Sequence, residues 1–249
     1  PELEKGVGLT GSTDRHIADG AIAFLQRRPA GPFFLHVNFT APHDPLHRPP
    51  GYEKRYDPAA MPLPPNFAPE HPFDHGNADQ RDELLLPLPR TAADVQREIA
   101  AYYAVISHLD EQVGRILEAL RASGHEDNTL VIFTADHGLA LGSHGLMGKQ
   151  NMYDHTIGVP FVFAGPGMPR DRRVAAQIYL RDIFPTACEL ARIPIPDTVE
   201  GRSFWPVLAG RAQEIHPEVF AYWHGTSPVT VPVQRMVRTD RWKLIHYAH

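Results

Sequence analysis

The run TLVIFTA, Thr129–Ala135, constrains the fold of this 249-residue chain more than any other stretch. Seven residues, almost all apolar or β-branched, are too few for a helix. A continuous apolar run of that length is the pattern of a strand buried on both faces of a parallel sheet. VPFVFAG (159–165) repeats the pattern, and FFLHVNF (33–39) is aromatic and β-branched between turn residues, which predicts a further strand. Between these runs the spacing is helical. Ile17, Ala21, Phe24 and Leu25 share one face of a helix that starts at caps in 10–13 and runs to about Arg28. Ile99, Tyr102, Tyr103, Ile106, Leu109, Val113, Ile116, Leu117 and Leu120 mark a second helix over 91–123, stopped by Gly124. Asp182 is placed to cap a third, IFPTACELARI. Strands alternating with helices predict an α/β fold: a mixed, mostly parallel central sheet with helices on both faces. The tail from about Pro217 reads as antiparallel strands. The expected division is residues 1–212 as part of the α/β domain and 213–249 as the beginning of a smaller subdomain. Pro42 to Pro89 carries too many prolines for helix or central strand and reads as an ordered surface excursion.

The net charge of −5 comes with no basic run, so no nucleic acid partner is expected. No apolar segment reaches the roughly 18 residues of a membrane span. The lone Cys188 excludes an internal disulfide and a cysteine-built zinc site; it falls on the apolar side of its helix and reads as a core residue.

Ligands of α/β sheets bind beyond the carboxyl ends of the strands. Asp136 and His137 stand just past such an end, and a carboxylate with an imidazole suits a divalent cation. Neighbouring residues of a strand point to opposite faces, so both reach one ion only if the chain turns, and Gly138 is expected to permit that turn. The alternative is that Asp136 caps the next helix and His137 is an ordinary packed histidine. Lys149 follows in a loop punctuated by Gly138, Gly142, Gly145 and Gly148, where it could clamp an anion or be a solvated surface charge. Gln150 stands where a phosphate-binding P-loop needs Ser or Thr, and His125 opens HEDNT rather than a zinc-binding HExxH helix. His43, in NFTAPHDPLHRPP, lies past the end of the 33–39 run and can act as acid, base or anion donor; His47 and Arg48 are weaker candidates for the same rim. A cation, a lysine and a histidine at one sheet edge suit an ester of an oxyanion.

ADHGLALGSHGLMGKQNMYDHTIGVPFVFAGPG closely resembles the sulfatases of the alkaline phosphatase superfamily. FFLHVNFTAPHDPL resembles the segment that carries the family's substrate-contacting histidine, and MVRTDRWKLIHY its entry into a C-terminal subdomain. The resemblance implies an alkaline phosphatase-like fold and hydrolysis of a sulfate ester. Asp136 and His137 would be ligands of Ca²⁺, or sometimes Mg²⁺. Lys149 and His43 would contact the sulfate group and the leaving oxygen, with Arg48 at the substrate rim. The substrate would be a sulfated small molecule or carbohydrate. Periplasmic or extracellular placement would follow from the family, although no signal region stands in this chain. The family's nucleophile is a formylglycine made from Cys or Ser in a C-x-P-S-R or S-x-P-S-R segment. Neither segment occurs here, and Cys188 has Leu190 where the proline belongs. The formylglycine is therefore expected in a preceding part, and these 249 residues alone are expected to be inactive. Two alternatives remain: a phosphodiesterase or phosphonate monoester hydrolase of the same superfamily, and a non-catalytic remnant or binding module.

Overall fold

The computed structural model of the chain describes residues 11–76, 78–225 and 233–248. They divide into two compact units. The first draws on Pro1–Phe73, Asp79–Thr129 and Ala140–Gly148, the second on Asp74–Ala78, Leu130–Leu139 and Lys149–His249.

In the first unit, α1 (Gly11–Gln26) packs along α2 (Ala92–Ser123). The ends of α2 are set locally. Thr91 Oγ1 accepts the Asp94 N–H at 3.1 Å, and Gly124 closes the helix in the left-handed region at φ 83°. The buried stripe differs from the expected one. It holds Val95, Ile99, Ala100, Ala101, Ala104, Val105, His108, Gln112 and Leu120, whereas Tyr103, Ile106 and Leu117 are exposed. α1, with its own buried Ala18, Ala21 and Leu25, lies along the C-terminal half of α2, where Arg115 pairs with Asp19 and Arg28 donates to Ala122 O, so the buried face there holds His108, Gln112 and Leu120 rather than the bulkiest apolar residues.

Residues 33–39 are extended, and their burial alternates with period two, Phe34 being 89% exposed. No ladder partner stands among the described residues, so the expected strand is extended backbone instead; a strand needs a neighbour's N–H and C=O as well as its own geometry. Phe33 packs edge-on against Phe24 of α1 and against His125. The proline-rich excursion is ordered, with single turns of 3₁₀ helix at Pro58–Ala60 and Glu83–Leu85. It is not only surface: Met61, Leu63, Phe67 and Leu86 cover a core of Val95, Ile99 and Met147.

In the second unit, β1 (Val131–Thr134) pairs with β2 (Phe161–Ala164), Val131 facing Ala164 and Thr134 facing Phe161. Both strands lie inside the expected runs, but this pair is antiparallel and half-exposed, with Phe133 and Val162 open to solvent. The apolar run locates the strand but fixes neither its direction nor burial on both faces. Phe161 and Phe163 stack on each other and meet the buried Phe204 edge-on. Between the strands lies α3 (Asp154–Ile157). α4 (Ile183–Ala191) buries Pro185, Thr186 and Cys188, while Phe184 is exposed. Cys188 is thus the small core residue expected of it. Asp182 occupies the N-cap position, but its side chain accepts no hydrogen bond from α4. Its fully buried carboxylate instead takes the Tyr179 and Arg202 N–H groups, each at 2.8 Å, and His216 Nε2 at 2.9 Å. After α5 (Trp205–Leu208), β3 (Val219–Trp223), β4 (Val233–Arg238) and β5 (Lys243–Ala248) form an antiparallel sheet in sequence order, as the tail predicts. Gln234 and Met236 face inward; Phe220, Tyr222 and Leu244 face out.

Candidate active site

β1 ends at Thr134, and Asp136 and His137 follow within three residues of that end. Asp136 Oδ1 accepts the His137 N–H at 2.9 Å, which turns the carboxylate back over its neighbour. His137 Nδ1 lies 3.1 Å from the Gly138 carbonyl, which can only accept, so Nδ1 carries the proton and Nε2 presents a lone pair. That Nε2 stands 3.6 Å from Asp136 Oδ2. Two ligand atoms at right angles on a cation bound at about 2.5 Å lie about 3.5 Å apart, so the pair fits one ion. An imidazole whose far nitrogen donates to a carbonyl is also the usual arrangement of a metal-bound histidine. Two ligands remain too few for a full shell, and no group of three or more His, Cys, Asp or Glu suited to a metal occurs among the described residues.

The chain bends at Asp136, as expected, but Gly138 follows without a left-handed φ. Close approach explains the glycine instead: a Cβ would stand 2.0 Å from the His155 carbonyl oxygen, and the Gly138 N–H donates to Thr156 O at 2.8 Å. Thr156 is in turn held by Asn151, whose Oδ1 accepts from its hydroxyl at 2.9 Å and from the Tyr153 N–H at 3.1 Å. Asn151 is 2% exposed. Asp154 at the head of α3 pairs with Arg238 and, at 2.6 Å, with Lys243. Burial would raise the Asp154 carboxyl, but those two cations outweigh it and the net shift is downward.

The loop before Lys149 is built on left-handed residues: Leu141, Gly142, His144 and Gly145 all have positive φ. Glu83 and Arg90, which motif reasoning did not single out, hold it within the first unit. Glu83 Oε2 accepts the Met147 N–H and Oε1 the Gly148 N–H, each at 2.9 Å. Lys149 itself is half-buried, and beyond it Gln234 Nε2 donates to Gln150 O at 3.0 Å.

His43 belongs to the first unit. Its Nδ1 lies 2.6 Å from Asp44 O, which can only accept, so Nδ1 is the donor there. Buried Asp44 is paired with Arg81 at 3.2 Å. Arg48 is exposed and donates to Glu53 O at 3.1 Å. His47 Nε2 is buried and makes no hydrogen bond. Asp136, His137 and Lys149 belong to the second unit, His43 and Arg48 to the first. A cavity of about 530 Å³ in the second unit, bordered by Glu214, His216, Glu218 and Asp240, is lined by none of these five residues.

The sulfatase family model matches residues 3–193, which include every one of these site residues. The chain belongs to the sulfatase family. A second model, described as N-sulphoglucosamine sulphohydrolase, C-terminal, matches residues 142–249 of this sulfatase chain. An arylsulfatase of Clostridium perfringens is 35% identical over 200 residues, 78% of the chain and 41% of that protein. A Delta 4,5-hexuronate-2-O-sulfatase of Bacteroides thetaiotaomicron is 31% identical over 92% of the chain and 51% of its own length. The chain thus spans about half the length of the curated relatives it matches. Among solved structures, a phosphonate monoester hydrolase from Silicibacter pomeroyi superposes with a TM-score of 0.83 at 26% identity, over 96% of this chain and 52% of that one. The α/β, alkaline phosphatase-like class expected from the sequence is borne out by these neighbours. No described helix is long and apolar enough to cross a membrane.

Proposed function

We propose that this sulfatase chain supplies half of the machinery for hydrolysing a sulfate ester, with a sulfated carbohydrate or a sulfated small molecule as substrate. The supporting observation is the Asp136 Oδ2 and His137 Nε2 pair, 3.6 Å apart at the end of β1 in a chain of this family. Asp136 and His137 would hold a divalent cation, Ca²⁺ or Mg²⁺, which when bound offsets negative charge on sulfate oxygens. Lys149 adds a positive charge toward the same oxygens, and a well-placed donor of this kind lowers a barrier by about 3–4 kcal/mol. His43, through Nε2, protonates the leaving oxygen or hydrogen-bonds the sulfate. Arg48 contributes to the substrate rim. The nucleophile is a formylglycine outside these 249 residues, since Cys188 is buried in α4. The hexuronate-2-O-sulfatase relative favours a sulfated sugar.

The phosphonate monoester hydrolase neighbour favours a second reading, in which the same cation and lysine act on a phosphonate ester. Turnover of p-nitrophenyl sulfate and p-nitrophenyl phenylphosphonate by the full-length protein, with and without chelator, separates the readings. Sulfate ester turnover that chelator abolishes is expected. Preference for the phosphonate shifts the assignment to the second reading, and inactivity on both, with no metal bound, leaves a binding module.

A further inference from the structure

The Glu83–Arg90 pair raises a physical question. Both side chains are nearly inaccessible, at 5% and 3% exposure. An isolated buried ion pair is seldom a net gain in stability over apolar residues of the same shape. This pair is not isolated. Arg90 donates to Glu83 Oε2 at 2.7 Å and to Glu83 O at 2.9 Å, and its other terminal nitrogen donates to Gly145 O. The two Glu83 oxygens take the Met147 and Gly148 N–H groups. Both carboxylate oxygens of Glu83 and one terminal nitrogen of Arg90 are thus aimed at the backbone of one loop, while the other terminal nitrogen ties Arg90 to Glu83 and the buried Arg90 Nε makes no hydrogen bond.

That loop needs such support. Leu141 and His144 hold φ values of 46° and 55°, which cost non-glycine residues about 1–2 kcal/mol each. A Cβ on Gly145 would meet Glu70 backbone at 2.2 Å, and one on Gly142 would meet Val95 at 2.6 Å. The loop is pressed against the excursion and α2 in a conformation its own residues disfavour, and the last N–H that Glu83 accepts is the one immediately before Lys149.

We propose that Glu83 and Arg90 are positioning residues for Lys149: by fixing the backbone through Gly148, they set the direction from which the lysine side chain reaches an anionic ester. This rests on the reading of Lys149 as an anion clamp. It gives the proline-rich excursion, in which Glu83 sits, a role in substrate recognition without contact to substrate.

The test is a double-mutant cycle in the full-length protein, read as kcat/KM for a sulfate monoester and as the inhibition constant of inorganic sulfate. Glu83→Gln keeps the shape but turns an amide N–H₂ toward donors. It should lower kcat/KM on the order of tenfold to 100-fold, the scale of a misplacement of about 1 Å, and weaken sulfate inhibition. In a Lys149→Ala background the same change should cost less than about twofold, because the residue it positions is gone. Should Glu83→Gln fail to fold, Glu83→Asp, which keeps the charge but shortens its reach, takes its place in the cycle. Leu25→Ala, a core truncation in α1, controls for lost stability and should leave kcat/KM per folded molecule and sulfate inhibition unchanged. Additive effects of Glu83 and Lys149 overturn the proposal, and so does wild-type behaviour of both Glu83 variants when Lys149→Ala is impaired. An unimpaired Lys149→Ala instead overturns the role given to the lysine itself, and this inference with it.

Discussion

Gly138 offers the sharpest test of how the candidate metal ligands are held. In Gly138→Ala the new Cβ starts 2.0 Å from His155 O. Carbon and carbonyl oxygen settle at about 3.3 Å or more, so one segment must retreat by roughly 1.3 Å. The obstacle is backbone, not a side chain that could rotate away. The retreat breaks the Gly138 N–H to Thr156 O bond. Overpacking of this kind costs about 1–3 kcal/mol, and the lost hydrogen bond adds about 1. A loss of roughly 2–4 kcal/mol corresponds to a fall in Tm of about 5–15 °C. His137 moves with its neighbour, so affinity for a divalent cation should weaken by about tenfold or more. Gly114→Ala is the matched control. It lies within α2 with nothing within 4 Å of its Cβ, and should stabilise by about 0.5–1 kcal/mol. Calorimetric unfolding and isothermal titration with Ca²⁺ measure both effects. A Gly138→Ala protein with wild-type Tm and wild-type cation affinity would refute the claim that close approach, rather than backbone conformation, demands glycine there.

Two further outcomes follow from groups in the first unit. Burial holds the His108 imidazole below the ordinary histidine value of 6.5, against the pull of Asp14 and Glu111, so the neutral form is favoured in the folded state. Its contribution is complete above pH 6.5 and is lost as pH falls through the folded value; the stability gap between wild type and His108→Gln should narrow from about pH 8 to about pH 5, and a constant gap would contradict this. Thr91→Ala removes the acceptor of the Asp94 N–H and should lower stability by about 1 kcal/mol, while Thr91→Ser should restore it, both measured by urea unfolding.

The features legible in the sequence are those that neighbours a few residues apart decide. Thr91 and Gly124 bracket α2 because a cap and a left-handed stop are local chemistry. Asp136 and His137 could be picked out because donor type and the end of an apolar run lie in one short stretch. What the pattern hid depends on distant partners. The buried stripe of α2 takes in three alanines and the polar His108 and Gln112 while leaving out Tyr103, Ile106 and Leu117, a choice its apolar spacing does not show. Glu83 looked like one acidic residue among many prolines because its acceptors' targets, Met147 and Gly148, lie 64 and 65 residues on. Gly138 announced a missing Cβ, but only His155 explains why it must be missing.

The Asp182 carboxylate has a consequence for chain continuity. It receives donors from Tyr179, Arg202 and His216, while the Thr186 hydroxyl accepts the Phe204 N–H at 3.0 Å. Between the two tied ends, residues 192–198 are exposed. A peptide bond broken in that span leaves both new ends anchored to the same buried carboxylate and hydroxyl. Covalent linkage across those residues is structurally redundant, and the span is the natural place for homologous chains to differ in length or for a tag to be inserted without disturbing α4.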